Sequence, residues 1–463
     1  MEMRKINFCS PDISEIEIEE VVKTLRSGWI TTGPRTKSLE CRLAAYIETG
    51  RTDVDCEEDE AREYYSSKVV GLSSGTAAEE LNFRILGIKP GDEVIVPAYS
   101  YTATASAAIH CGATVKFVDI QKDGSSDTNA PEIDYDALEQ MITEKTKAIV
   151  PVDLGGVVCD YDRIFEIVEK KRGLFKPVAS DGSPLSELSA RIQRGLGCVA
   201  VVSDCAHSLG ASRIVSHTGK GRLSSPERRY CGALAHFSSF SFHAVKNFTT
   251  GEGGAATWCL PQSVYDEGLT DKEIYRFYQL LSLHGQSSDA LAKSKAGTWE
   301  YDVIGPWYKC NMTDITAAIG HGQLDRYLSL LSRRVRIMKK YEAMCEEFGL
   351  SHLIHHTETM DGSNHLFLVR IPDITEGERN DIIKGMSKLG IPVNVHFKPM
   401  PMMTAYKEMS GGIDNYPCAY DYYHNLITLP VHTLLSDEDV DYVCANFKEV
   451  VSEIRERWMK RIS

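Results

Sequence analysis

A lysine stands at position 246 in the stretch SFHAVKNFTTGEGG (241–254), between an apolar, β-leaning run and a cluster of glycines. Three roles are open to it: a surface charge, a cation that binds phosphate, or an amine that bonds to a carbonyl carbon. A lysine reached through an apolar segment can lose proton affinity by desolvation, which frees the amine as a nucleophile. The phosphate-lysine reading needs a G-x-x-x-x-G-K-[ST] loop, and that pattern occurs nowhere in the chain. Taken alone, Lys246 still reads best as a solvated charge.

Other residues upstream could work with it. Ser74-Gly75-Thr76 falls between a strand-like run and a helix-like one, where free N–H groups, a permissive glycine and a hydroxyl make a phosphate cup. By itself such a serine or threonine is more often only a helix cap. Asp204 ends the apolar run VVSD, at the sheet edge where open parallel sheets bind ligands. It can pair with a protonated pyridine nitrogen or merely cap a turn. His207 is close enough in sequence to touch the same ligand. Tyr99 and Tyr101 follow another strand and offer an aromatic plate, or ordinary core packing. Ser241 is a second phosphate donor, and Gly251, Gly253 and Gly254 permit a turn back into the sheet. Cys205 reads as a small buried residue. A cup, a plate, a strand-end carboxylate and an amine, in that order, are the four parts that pyridoxal 5'-phosphate (PLP) requires for its phosphate, ring, pyridine nitrogen and aldehyde.

The elements that must position these groups alternate. Seven β-rich runs (68–74, 93–98, 114–120, 147–154, 198–205, 236–242 and 253–260) are separated by helical segments including 76–87, 102–111, 134–143 and 160–171. This rhythm predicts an α/β fold with a mainly parallel sheet covered on both faces. An amphipathic helix over 12–27 is predicted from Ile16, Val21, Val22 and Leu25, with Gly28 ending it. Stretches 48–63, 176–190 and 212–232 are polar and read as surface insertions, the last as a possible flap over the site. From about 330 the chain turns to long charged helices (330–348, 376–389, 436–458) around short strands, of which 365–371 and 391–397 are the clearest. The expected organisation is a large domain over 1–275, an interdomain and dimer-interface segment over 276–329, and a smaller α+β domain over 330–463.

Bulk properties remove several functions. The 463 residues exceed one ordinary core. A net charge of −14 without a dense basic run excludes a nucleic-acid binder on electrostatic grounds. No apolar stretch is long enough for a membrane span, and the acidic opening lacks a secretory core. The 13 cysteines, with no C-x-x-C pair, suggest reduced thiols in a cytoplasm and no metal site.

The motifs together resemble those of the DegT/DnrJ/StrS sugar aminotransferases of PLP fold type I, the aspartate-aminotransferase fold. The likeness runs through SGWITTGP, SSGTAA, VIVPAYSYTATASAA, DCAHSLGA, FSFHAVKNFTTGEGG, YKCNMTDITAAIGHGQLDR and GIPVNVHFKPM. It implies Lys246 as the Schiff-base lysine, Asp204 on the pyridine nitrogen, His207 near the ring hydroxyl and Tyr101 on the ring. Gly75, Thr76 and Ser241 would hold the phosphate. Lys309, in WYKCNM, would reach the phosphate of a partner subunit, although Trp307 and Cys310 depart from the family pattern. Thr31, Thr32 and His396 fall where the family touches substrate. Asp153 replaces the family's usual histidine in PVDLGG. The implied activity is amino transfer, from glutamate by family habit, to a nucleotide-linked keto-sugar. The expected substrate is a UDP-linked 2-acetamido-4-keto-6-deoxyhexose for capsule, lipopolysaccharide or glycan synthesis, and the expected assembly is a homodimer with shared active sites. Rival readings are a PLP-dependent sugar dehydratase, which by family pattern puts histidine at the lysine position, a 3-keto-sugar aminotransferase, and a non-catalytic regulator.

Overall fold

Nine strands and their connecting helices build the first two thirds of the chain in a computed structural model that describes residues 4–122, 124–287 and 300–462. The strands are β1 (Val69–Leu72), β2 (Glu93–Pro97), β3 (Thr114–Val118), β4 (Thr146–Ile149), β5 (Ala200–Asp204), β6 (Ser212–Thr218), β7 (Gly221–Tyr230), β8 (Phe237–Ser241) and β9 (Gly254–Trp258). Seven of them form one sheet in the order β1-β9-β8-β5-β4-β2-β3. Its pairings are parallel except that β9 runs antiparallel to both β1 and β8. All seven predicted runs are therefore strands of one sheet. β1, β4, β5 and β9 are buried along their whole length, as expected of strands covered on both faces.

The helices that matter for the site come early: α1 (Glu15–Ser27), α2 (Pro34–Thr49), α3 (Asp59–Tyr65), α4 (Gly75–Ile85) and α5 (Ala103–His110). α1 lies where its pattern predicts and ends at Gly28 in the left-handed region, φ 76°. Its buried face is not the apolar one. Glu17 and Thr24 are buried, whereas Ile16 and Leu25 are 43% and 52% exposed. The cause is a polar lock. Glu17 accepts from the Ser14 amide and hydroxyl in a capping box, and from Gln323 and Arg326 of the long helix Asp314–Phe348.

The three insertions have distinct structures. Residues 50–58 loop back so that Cys56 forms a disulfide with Cys41 of α2. This corrects the expectation of thiols free throughout: the Cα atoms lie 6.2 Å apart, within bridging range, but the pair has no recognisable sequence spacing. The other 11 cysteines are free. Residues 176–183 are loop, and Pro184–Leu196 is a helix capped by Ser183. The 212–232 stretch is the β6–β7 hairpin, which packs on the helix Tyr161–Lys170 and pairs with Met360–Asp361. None of its residues lines the cavity described below, so the hairpin does not serve as a flap within its own chain.

A second sheet of three strands, Ser351–His352, Phe367–Arg370 and Leu426–Leu429, carries its own buried cluster between the helices Asp314–Phe348, Glu376–Lys388 and Asp437–Ile462. The predicted strand over 391–397 is not one. Only Asn394 forms an isolated bridge, with Thr428; Ile391 and Val393 pack in the second core, while Asn394, His396 and Phe397 line the cavity. Of the segment 276–329, residues 288–299 lie outside the described residues. Among the described residues, no helix is long and apolar enough to cross a membrane.

Candidate active site

The carboxyl ends of β1, β2, β4, β5 and β8 open into one cavity of about 560 Å³. This is the edge at which doubly wound sheets bind ligands, and the volume suits a cofactor with part of a substrate. Gly75, Thr76, Tyr101, Asp204, His207, Ser241, Lys246 and His396 all line it. Lys309, Thr31 and Thr32 do not. Thr32 and Lys309 meet elsewhere, around Asn311, whose amide donates to the Thr32 hydroxyl at 2.5 Å and whose carbonyl oxygen Lys309 contacts, while the Thr31 carbonyl accepts from the Asp314 amide.

The cup forms because α4 starts where β1 stops. Ser74 caps the helix by accepting from the Ala77 amide at 3.0 Å, so the first amides of α4 have no intrahelical acceptor. A Cβ on Gly75 would stand 2.9 Å from the Ser241 Cβ. Only glycine lets β8 bring the Ser241 hydroxyl against the helix start. Across the cavity, Asp204 is buried at the end of β5. It accepts from the Thr104 hydroxyl at 2.7 Å and the Ala206 amide at 3.1 Å. Burial pushes its carboxyl up, while Thr104, Ala206 and Lys246 pull it back.

Lys246 sits on the connection between β8 and β9, which closes on itself through the Phe242 amide to the Gly253 carbonyl and the Thr250 amide to the Phe242 carbonyl. The side chain is half-buried, and desolvation pushes its ammonium down to about 8 against the opposing pull of Asp204. His207 accepts from the Gly155 amide through Nδ1 at 3.1 Å. Burial, with Lys246 nearby, keeps the ring neutral, so its proton is on Nε2. His396 is likewise pushed down to about 4 by burial and Lys246. Tyr101 is exposed at the rim, tilted against Phe397 at 5.7 Å, whereas Tyr99 is wholly buried and packs on Tyr422. His243 faces Glu252 at 3.6 Å, also at the rim.

The groups fit PLP. A glycine-cleared cup with free amides suits a phosphate dianion, a buried carboxylate suits a pyridinium, and a half-buried amine of lowered basicity suits an aldehyde. A metal fits less well. Asp153, Cys205 and Cys231 bring ligand atoms within 4.8 Å of one another. Yet the Asp153 carboxylate already accepts from the Cys159 amide, the Ser208 hydroxyl and the Cys231 thiol, and burial raises both Asp153 and Cys231.

Sequence reasoning missed several cavity residues. Glu79 was readable from helical spacing, since it follows Gly75 and Thr76 by one turn. His365, whose ring lies 4.5 Å from His207, and Asn394 come from the second sheet region, and no local signal connects them to β5.

Comparison with known proteins agrees with this geometry. The profile of the DegT/DnrJ/EryC1/StrS aminotransferase family matches residues 11–175 and 185–448, skipping the loop before the Pro184 helix. The spore coat polysaccharide biosynthesis protein SpsC of Bacillus subtilis is 32% identical over 451 residues, covering 96% of each chain. The UDP-4-amino-4-deoxy-L-arabinose–oxoglutarate aminotransferase of Shewanella sediminis is 28% identical, covering 96% of this chain and 97% of its own. Among solved structures, the candidate sugar aminotransferase Spr1654 of Streptococcus pneumoniae superposes with a TM-score of 0.83 at 46% identity, over 98% of this chain and 100% of its own. It has also been solved in forms with pyridoxamine phosphate and with PLP. The chain belongs to the DegT/DnrJ/EryC1/StrS aminotransferase family, as a PLP-dependent sugar aminotransferase of fold type I.

Proposed function

We propose that the protein transfers an amino group from glutamate to C4 of a UDP-linked 2-acetamido-4-keto-6-deoxyhexose, with Lys246 as the catalytic amine. The observation that carries this reading is the meeting of Lys246, Asp204 and the Gly75–Ser241 cup in one cavity. PLP, when bound, supplies an aldehyde for the amine and a ring that accepts an electron pair. The protein does the rest. The amides of Gly75 and Thr76 and the Ser241 hydroxyl bind the phosphate. Asp204 keeps a proton on the ring nitrogen. Neutral His207 donates from Nε2 beside the ring, and Tyr101 covers one face. Lys246, its ammonium pushed down to about 8, would take a proton from the amino-acid carbon in the first half-reaction and would deliver a proton to the sugar carbon in the second.

Substrate recognition falls to His396 and, across a homodimer interface, to Thr31, Thr32 and Lys309 of the second subunit. These three lie outside the cavity of their own chain, which suits a role in the neighbouring one. The nucleotide assignment draws on the Shewanella relative, whose name specifies a UDP-linked 4-amino sugar and oxoglutarate. The setting proposed is cytoplasmic polysaccharide synthesis.

The test is a half-reaction. Holoenzyme mixed with glutamate converts bound PLP to pyridoxamine phosphate and releases oxoglutarate. The pyridoxamine form then aminates one member of a panel of nucleotide-linked keto-sugars, scored by mass. A cofactor that stays unchanged with every amino acid overturns the donor assignment. Amination confined to 3-keto-sugars overturns the C4 assignment.

A further inference from the structure

Three carboxyls that line the cavity have no part in the scheme above: Asp153 accepts from Cys159, Ser208 and Cys231, Glu252 faces His243, and Glu79 is left. Glu79 lies one turn after Gly75 and Thr76 on α4, so a single helix face carries all three to the cavity. Its side chain is 2% exposed, and Oε1 has no hydrogen-bond partner. No described cation acts on it. The groups that do are Asp204 and Cys205, and both oppose a negative charge there.

The surrounding elements offer no relief. On α4 itself, Glu80 is taken up by Arg84, His110 and Tyr308. From α5, Thr104 is spent on Asp204. From the helix Asp271–Ser282, Tyr278 donates to Asn82, and from the helix Pro184–Leu196, Gln193 donates to the Leu86 carbonyl. Lys246 acts on Asp204 instead. Desolvation, followed by the charge of Asp204, holds Glu79 well above the ordinary carboxyl range. Asp204 has three groups that favour its charge and Glu79 has none, so of the two carboxyls Glu79 is the one that holds its proton more tightly.

We propose that Glu79 is a positioning residue for the cofactor ring: a neutral carboxyl that brings an O–H donor to the cavity and leaves Asp204 as the carboxylate that faces the ring nitrogen. The inference rests on the roles given above to Asp204 and Lys246. Its consequence is a pH limit on cofactor binding. Loss of the Glu79 proton places a further negative charge, beside Asp204, in the pocket that must hold a phosphate.

Two measurements test it. Infrared spectra of PLP-loaded protein carrying carboxyl-labelled glutamate should show a protonated-acid C=O stretch near neutral pH, absent from Glu79→Gln. PLP dissociation constants of wild type and Glu79→Gln, measured across neutral to alkaline pH, should match within about threefold at the acid end. Above the point where Glu79 ionises, wild type should weaken relative to the variant by up to about tenfold per pH unit, the limit for one proton. Absence of the acid band, or parallel pH profiles, overturns the proposal. Should Glu79→Gln fail to fold, Glu79→Leu serves for the band assignment, and titration of the wild-type band alone decides the protonation state. The band is read without substrate, so failure of the Lys246 assignment would show separately, in the half-reaction.

Discussion

At the scale of the residue, Lys246 sets function against stability. A lysine pushed down to about 8 binds fewer protons folded than unfolded between pH about 8 and its ordinary 10.5. Stability of the apoprotein therefore rises with pH through that window, and below it the folded state carries the full cost of a poorly solvated ammonium. Lys246→Met should raise the unfolding free energy of the apoprotein near neutral pH by about 1–3 kcal/mol and flatten this pH dependence. The same variant should lose turnover by at least about 10⁴-fold. Urea unfolding at two pH values, alongside the amino-transfer assay, checks both. Retained turnover would remove Lys246 from the mechanism. The positions of Lys246, Asp204, Thr76 and Ser241 were legible because strand ends and helix starts are local features. Glu79 was also within reach of helical spacing, but a charged residue is ordinarily read as facing water. That rule fails where the ligand takes the place of water.

At the scale of the element, the first helix shows what a periodic pattern conveys and what it leaves open. Spacing and Gly28 located α1, but amphipathicity assigned its inner face to Ile16 and Leu25, which are exposed. The true contact is the buried carboxylate of Glu17 against Gln323 and Arg326. No local pattern could announce it, because its partners lie some three hundred residues away. Glu17→Ala should cost about 1–3 kcal/mol, since it leaves Arg326 and Gln323 with Asp12 alone and removes half of the capping box. Burial would raise Glu17, but the hydrogen bonds from Ser14 and Arg326 outweigh it and the carboxyl sits below its ordinary value of 4.5. Its contribution is thus complete above that value and is lost as pH falls through the lower folded one. Acid titration followed by proteolysis of the N-terminal segment should show α1 releasing before the core, and Glu17→Ala should release it already at neutral pH. The 391–397 segment forms no ladder beyond Asn394: Ile391 and Val393 pack in the second core, Val395 on the first, and Asn394, His396 and Phe397 line the cavity.

At the scale of the whole molecule, the N-terminal region leaves five large apolar residues exposed, Ile13, Ile16, Ile18, Leu25 and Ile30. They match the homodimer proposed above. Leu25→Glu should shift the protein toward monomer in light scattering, keep its far-ultraviolet circular dichroism, and lower turnover at least about tenfold. A variant that stays dimeric would move the interface elsewhere. The molecule also contains two kinds of loop with opposite tolerance for change in length. Residues 176–183 are exposed, and the family profile passes over this region without a match. The β8–β9 connection is the reverse. Both its ends lie in central strands, and the Phe242–Gly253 and Phe242–Thr250 hydrogen bonds close it like a buckle. One residue added or lost inside it would swing Lys246 away from Asp204 or slip β9 against two neighbours at once. The first loop has room to lengthen, whereas the second holds the chain to a fixed count of residues.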